Sequence, residues 1–422
     1  MSTTDLVFVT TTGRPGLSRA DTKLMRGHVT RSNFAKRRRR RAELQRAEHE
    51  LCHTEDRLEP PVLKTQKYSI GGEKFRKDSP SPKSRINMSD FWSHFFLHGE
   101  TYPASSQEGA WLQLLVSEAA LAQVSLSIGF RIWSPNAAYQ KEALACSSSA
   151  LSIIMNRIAT EQALTDAVMA AVLHMAVGER FGLDDEAWHV HIGGLAQLIT
   201  ARAQRGQTDL PVWFSNMIIF DAINAVFGFP LCCDKRLLDA VQPYGIPAIT
   251  KVADMTQHLL HLRDLITAYH HERSPFKNEI DQKWAHLLHE ARELRRSVPE
   301  NPYVVATSLS AEILLWLCWE NQLTPGGLTQ LAGELRQAIC RFPFRPCSFT
   351  EMVSCPMMLG AIAARPGSET RAWFVGRLRR SVAAAKSRAW ARPLDMVEKK
   401  VCTGMVGGGR FEELWRELGA DL

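Results

Sequence analysis

The pattern with the clearest potential chemistry lies in the first fifth of the chain, where His49-Glu50-Leu51-Cys52-His53 matches H-E-x-x-H. On a helix, two histidines four residues apart can bind one zinc ion, and the glutamate can polarise a bound water. A catalytic helix of this kind lies beneath a cleft and needs a third ligand. Here the pattern ends before Pro60-Pro61, and no third ligand follows at a recognised spacing. We therefore interpret the match as coincidental.

A second set of candidate ligands is a group of six histidines between residues 258 and 289, out of fourteen in the chain. Two pairs with i,i+3 spacing, His258 with His261 and His286 with His289, could each face one ion. Histidines so spaced on amphipathic helices are more often half-buried surface residues. The sequence therefore predicts no bound metal.

The nine cysteines form no paired framework and no C-x-x-C motif. Several lie in apolar helical patterns, which is typical of reduced thiols in the cytosol or nucleus. No phosphate-binding glycine loop and no nucleophile elbow occurs in the sequence. We predict no catalytic residue and no cofactor, and hence a protein that is not an enzyme.

The strongest charge feature is a basic run at residues 36–41, within an N-terminal region that carries 20 Lys and Arg against 10 Asp and Glu over residues 1–88. Clustered arginines offer bidentate donors to phosphate oxygens, and the same pattern is bound by nuclear import receptors. A solvated charged face is the third interpretation. The candidate residues for import or phosphate contact are Lys36, Arg37, Arg38, Arg39, Arg40 and Arg41.

The chain divides by composition near residue 88. Residues 1–88 combine the basic run with repeated Pro and Gly breaks, so we predict a mostly disordered basic arm and linker. Residues 89–422 show successive apolar stripes with helical spacing and almost no strand alternation, which predicts a single large all-α domain. The stripes include 107–128 and 141–159, and further helical segments are predicted at about 211–227 and 350–364, among others. The stripe at 141–159 consists of Leu144, Leu151, Ile154, Met155 and Ile158. No apolar run approaches the ~20 residues of a membrane span, and no standard signal peptide is present, so we expect no membrane association.

One segment within the helical region resembles a known family. Trp188, His191, Gly194 and Leu198 follow the W-x-x-H-x-x-G-x-x-x-L-I pattern of the fungal-specific transcription factor domain, the all-helical regulatory module of zinc-cluster regulators. Their spacing puts Trp188, His191 and Leu198 on one helix face, so core packing is the first interpretation and ligand contact the second.

Other segments extend the resemblance. The stretch from Asp221 to Pro230 is similar to the family helix that ends at a proline. Pro356 with Gly360, which enclose three residues, is similar to the family's P-x-x-x-x-G, which has four. The C-x2-C-x6-C repeat of the zinc cluster is absent, so sequence-specific DNA binding by the usual module cannot be carried over.

The resemblance implies a nuclear transcriptional regulator that acts through its helical domain. Its expected partners are a nuclear import receptor and the transcription machinery or other regulators, while DNA contact through the arm stays open and no small-molecule effector is identified. The alternative is a helical co-regulator or scaffold that never touches DNA. An enzyme using the His49 to His53 element or the histidine-rich helices is the third class.

We expect any DNA binding by the arm to be weak, insensitive to sequence and steeply dependent on salt, because the arginines meet phosphates and nothing positions them against base edges. Six basic residues neutralise up to about six phosphates, so the slope of log K against log salt should be roughly −3 to −5. Titrations on two unrelated duplexes, with and without residues 1–55, measure it. Tight binding to one duplex by the truncated protein would contradict this division of roles.

Overall fold

The structure is a computed structural model that describes residues 105–133, 137–158, 160–181, 184–231, 233–272, 276–319, 325–344, 348–387 and 408–419. These ranges contain fifteen α-helices, three short 3-10 helices and no strand, so the predicted all-α class is confirmed. All of them belong to one compact unit, Phe75–Leu422. The predicted arm, including Lys36 to Arg41 and His49 to His53, lies outside the described residues.

The helices follow one another along the chain. In chain order they are α1 Ser106–Ser117, α2 Ala119–Trp133, α3 Ala137–Ile158, α4 Asp166–Phe181, α5 Asp185–Gln204, α6 Val212–Ala222, α7 Lys235–Val241, α8 Pro247–Glu272, α9 Lys277–Ser297, α10 Pro302–Cys318, α11 Pro325–Cys340, α12 Ser348–Met352, α13 Cys355–Ala363, α14 Glu369–Ser387 and α15 Gly408–Glu417. The 3-10 helices are Glu161–Leu164, Ile223–Phe227 and Gln242–Tyr244.

Two helices form the centre of the core. Helix α4 packs against α2 and α5 and is rich in alanine and other small apolar residues, which allow close approach. Helix α10 packs against α6, α8, α9, α11 and α13, and nearly all of its residues are buried. A helix that is apolar on all sides is stable only when others surround it. Together these helices contribute to one continuous apolar core.

Two sets of hydrogen bonds hold α10 at its start and on one side. The Asn301 side chain accepts hydrogen bonds from the backbone N–H groups of Tyr303 and Val304, which caps the helix. The Thr307 hydroxyl donates to Ile219 O at 3.2 Å, so the central helix is also fastened laterally to α6.

The stripe at residues 107–128 is buried as expected, but it belongs to two helices rather than one. Glu118 has an extended backbone, with φ −100° and ψ 105°, and its N–H donates to Leu114 O. Its carbonyl accepts from Ala122 N, and its carboxylate pairs with Arg157 at 2.8 Å. Glu118 therefore ends α1 and begins α2, and the two helices meet at 89°.

The apolar stripe at residues 141–159 lies away from the core at four of its five residues. Only Ile154 is buried, at 4% exposure, while Leu144, Leu151, Met155 and Ile158 are 51%, 43%, 61% and 46% exposed. The buried face of α3 is instead lined by small residues at Ala143, Cys146 and Ala150, which fit closely against α2. We refer to Leu144, Ser148, Leu151, Met155 and Ile158 as the α3 strip.

Two other predicted helices are interrupted. The segment 211–227 is α6 followed by a 3-10 helix, and the segment 350–364 is two helices, α12 and α13. The short helix α7 was not predicted. Among the described residues, no single helix is long and apolar enough to cross a membrane, and α1 with α2 meets that criterion only as a bent pair.

Candidate functional site

The residues of the separate sequence motifs meet at one place inside the protein, and Arg180 joins them. Arg180 lies at the end of α4, and its Nη1 donates to Asp221 Oδ1 at 2.5 Å. Its Nη2 donates to Pro230 O at 2.7 Å. The guanidinium therefore connects α4 to the end of α6 and to the turn that follows the 3-10 helix.

The same guanidinium also contacts α5. Its central carbon lies 4.2 Å from the centre of the Trp188 ring and 5.8 Å from that of Phe229. Trp188 is 1% exposed, so the contact is a desolvated cation–π interaction, the stronger class of such contacts. Asp184 places Trp188 by capping α5, since its carboxylate accepts from Ala187 N at 3.0 Å.

Asn224 carries the network onward to the C-terminal part of the domain. Its Nδ2 donates to Asp221 Oδ1 at 3.4 Å, and its Oδ1 accepts from the backbone N–H of Cys355 at 3.0 Å. The first N–H groups of a helix have no partner within the helix, so Asn224 satisfies one of those of α13. We call Arg180, Trp188, Asp221, Asn224 and Pro230, with the backbone N–H of Cys355, the Arg180 network.

Pro356 and Gly360 help to place α13, the first at the start of the helix and the second where the helix meets α14. Pro356 occupies the first turn of α13, where a missing N–H costs nothing. Gly360 faces the Phe374 ring of α14, and a Cβ built on it would lie only 2.2 Å from the ring carbon Cζ. Glycine is therefore required here because α14 approaches so closely.

Charge and burial in the Arg180 network indicate a positioning role. The side chains of Arg180 and Asp221 are 6% and 27% exposed. A guanidinium this deep costs free energy to desolvate, and this cost is offset by the carboxylate, the carbonyl and the ring that surround it. The network fixes the relative positions of α4, α5, α6 and α13.

The remaining motif residues of α5 have different surroundings. Leu198 is buried with Trp188, as core packing predicts. His191 is half-buried, and burial lowers its pKa, as Arg131 also does, although Glu179 opposes the shift. Gly194 has no neighbour within 4 Å of a built Cβ, so no close contact requires glycine there.

A cleft of about 410 Å³ lies between the start of α4 and the end of α5. Its walls include Arg202, Arg205, Asp166 and Glu118, so charges of both signs face it. Arg202 is buried and donates from Nη1 to Leu164 O and to Asp166 Oδ1, each at 2.7 Å. Its guanidinium is therefore already used to hold the start of α4 against α5.

The histidine pairs do not form a metal site in the structure. The His258 Nδ1 lies 3.2 Å from Glu290 Oε2, and the His258 and His286 rings are 6.5 Å apart. Within the described part of the chain, no three His, Cys, Asp or Glu side chains are grouped so that they could hold an ion.

The described cysteines differ in how deeply they are buried. Cys146, Cys233 and Cys355 are buried, Cys318 is half-buried and Cys340 is exposed. Burial raises the pKa of Cys318 to about 12 and that of Cys355 well above its usual value. A thiol that stays protonated is a poor nucleophile, so these two side chains act as apolar core residues.

Sequence reasoning missed Arg180 and Asn224, the two residues that connect the motifs. A signal for Arg180 was present, because a charged residue near the end of the apolar segment 166–181 needs a buried partner. No equivalent signal marked Asn224, because asparagine is common at helix ends and its two partners are distant in sequence.

A scan against family models, a search of curated proteins and a search of solved structures each found no significant match to this chain.

Replacing Asp221 should destabilise the protein strongly. Asp221→Ala leaves the buried Arg180 guanidinium without its carboxylate, and we expect a loss of about 2–3 kcal/mol in the free energy of unfolding, reduced from the fully buried case because Asp221 is partly exposed. The matched control is Asp264→Ala, which removes an exposed partner of Arg263 and should cost about 0.5 kcal/mol or less. Urea unfolding measures the free energy of unfolding of both variants. Equal losses would show that the Arg180 network contributes no more to stability than an exposed ion pair does.

Adding one methyl group at Gly360 should also be costly. Gly360→Ala forces its Cβ against the Phe374 ring, and we expect a loss of about 2–4 kcal/mol, since neither helix can shift without opening the core. Gly333→Ala is the control, because that glycine lies inside α11 with open space around it and alanine favours a helix by about 1 kcal/mol. Thermal unfolding should move in opposite directions for the two variants.

Proposed function

We propose that this chain is a nuclear transcriptional regulator whose helical body is a regulatory domain of the fungal transcription factor type. In this proposal the body supplies a rigid helical platform, and the basic run at Lys36 to Arg41 supplies nuclear import and an optional, non-specific contact with DNA. The protein catalyses no reaction and needs no bound metal or cofactor.

The observation that carries the proposal is the convergence of the motif residues. Trp188, Asp221 and Pro230 were selected only for their similarity to family motifs, and all three contact the Arg180 guanidinium. The motif at Pro356 and Gly360 begins at the N–H that Asn224 binds. Unrelated chance matches in a chain of 422 residues have no reason to meet at one side chain. Their convergence supports treating the motifs as parts of one domain signature.

A platform of this kind acts through the surfaces that its helices present. The partners that fit the proposal are a nuclear import receptor for the basic run, and the transcription machinery or other regulators for the helical body. We propose no small-molecule effector, since the buried cation at the cleft beside α4 is already bound by Asp166 and Leu164 O.

A second candidate function is a helical co-regulator or scaffold that acts through protein partners and never binds DNA. The α3 strip favours it, because four large apolar side chains exposed along one helix mark an interaction surface. The two functions share the same body and differ in whether the protein occupies chromatin.

Removing three arginines of the basic run should separate these roles. In a fluorescent fusion, Arg38→Ala with Arg39→Ala and Arg40→Ala should shift the protein from nucleus to cytoplasm without lowering the thermal midpoint, because exposed charges contribute little to folding. The control replaces three exposed cations of the helical body, Lys235, Lys251 and Arg380, with alanine and should stay nuclear. Unchanged nuclear accumulation of the first variant would remove import from the proposal.

Chromatin occupancy of the same proteins then tests regulation directly. We expect the intact protein to be bound at discrete loci, and the arginine variant to regain occupancy when an independent import signal returns it to the nucleus. A nuclear variant without occupancy would assign DNA contact to the arginines. An intact nuclear protein without occupancy would favour the scaffold.

A further inference from the structure

We propose that the groove filled by α15 is a binding site for an amphipathic helix of a partner protein, and that α15 occupies this site until the partner helix displaces it. The α15 groove consists of α13, the 3-10 helix Ile223–Phe227 and the cationic side chains of α14 that contact the end of α15. The inference does not depend on the proposed function.

Helix α15 contacts the groove along one face, as a helical peptide ligand does. The buried side chains of this face, each between 3% and 7% exposed, are Phe411, Leu414, Trp415 and Leu418. Their spacing of i, i+3, i+4 and i+7 is the pattern of anchors by which single amphipathic helices bind hydrophobic grooves. The Phe411 ring meets the Phe227 ring edge to face, with 5.6 Å between the ring centres. The groove therefore receives the apolar face of one helix.

The polar end of the groove suits a helix that ends with an acidic residue. Arg371 of α14 donates from Nη1 to the Ala361 carbonyl of α13, a bond that does not involve α15. Its Nη2 pairs with Glu417 Oε2 at 2.5 Å. Arg379 and Lys386, also on α14, donate to carbonyl oxygens at the end of α15. The last carbonyls of a helix have no partner within it, and cations are favoured beside them. The three cations therefore complement both the carboxylate and the end of the helix.

Helix α15 has little stability of its own. It has ten residues, begins with Gly408 and Gly409, and carries no acidic residue in its first turn. Helices this short do not persist alone in water, and glycine disfavours helix formation. The segment therefore folds as it docks, and part of its binding free energy is spent on ordering the chain. A partner helix that is more stable alone loses less, so it competes with α15 for the groove.

Trp415 makes the docked state of α15 imperfect. Its Nε1–H is buried, and no acceptor among the described residues forms a hydrogen bond with it. A buried donor without a partner loses the hydrogen bond that it makes with water when it is exposed. A helix with phenylalanine or leucine at this position avoids the loss. The partner that fits is therefore an amphipathic helix with apolar residues at i, i+3, i+4 and i+7, no indole at i+4 and a carboxylate at i+6.

Binding of a peptide to the full chain tests the groove. The probe is a fluorescent peptide of residues 408–422, and Leu414→Asp in the full chain prevents α15 from docking, because it places a carboxylate among apolar contacts. We expect this variant to bind the peptide with a Kd between about 1 and 100 μM. The wild-type chain should bind it at least about 10-fold more weakly, since the peptide reaches only the fraction whose groove is open. The matched control is the peptide that itself carries Leu414→Asp, which should bind neither protein.

Variants of the peptide test the two contacts that define the partner. Glu417→Gln should weaken binding about 3-fold, because the ion pair with Arg371 is partly exposed. Glu413→Gln, on the exposed side of the helix, is its matched control and should leave the Kd unchanged. Replacing the Trp415 indole with benzothiophene keeps the ring size and removes the N–H, so binding should become at least about 5-fold stronger. Equal affinities within either comparison would overturn the partner chemistry stated here.

Hydrogen exchange of the unaltered full chain tests whether α15 leaves the groove. We expect the amides of α15 to exchange at least about 100-fold faster than those of α10, through a local opening that leaves α10 folded. Exchange of both helices at one common rate would overturn the proposal, because α15 would then open only when the whole domain unfolds.

The Leu414→Asp chain has two further outcomes that would overturn the proposal. A folded variant that binds the peptide no better than the wild-type chain would show that the groove is not a site for a separate helix. A variant that fails to fold, as measured by circular dichroism, would show that α15 is an essential part of the core and not an exchangeable occupant.

Discussion

A single buried guanidinium sets the relative positions of the helices in this domain. Arg180 contacts a carboxylate, a carbonyl and an aromatic ring that come from three different parts of the chain. Because an unpaired buried charge is very costly, an arrangement of these helices that separates Arg180 from these three groups is strongly disfavoured. Apolar packing alone tolerates small shifts between helices, whereas the directional donors of Arg180 do not. The network therefore adds specificity to a core whose stability comes mainly from apolar burial.

The sequence predicted the fold class and most helices because their apolar residues recur with helical spacing, as at Trp111, Leu115 and Leu126, all of which are buried. It failed at Glu118 and at residues 353–354, where one backbone position departs from helical geometry and the spacing of apolar residues hardly changes. For α3 it identified an apolar stripe, and the structure shows that four of the five residues on this stripe are exposed. Periodicity reports that one face is apolar, and only packing shows whether that face is covered within the same chain.

The site was less predictable than the fold. Family resemblance selected Trp188, Asp221 and Pro230, and it also selected Gly194, which has open space around it. It could not select Arg180 or Asn224, since their roles depend on partners brought close by the fold. A hydrogen bond between residues 224 and 355 has no local pattern, because neither residue is unusual among its neighbours in sequence. The same limit applies to Gly360, whose need for glycine is created by the ring of Phe374.

The bond between Asn224 and Cys355 has a consequence for dissecting the protein into pieces. Its partners are 131 positions apart, and α10, which lies between them in sequence, is buried against helices from both sides of that interval. A fragment that stops before Cys355 lacks α13, and one that starts after Asn224 lacks α6, so each exposes part of α10. In deletion mapping with such fragments, lost binding would therefore report a damaged core as readily as a missing contact. Point substitutions at exposed positions keep the helices assembled and can assign a partner to a surface.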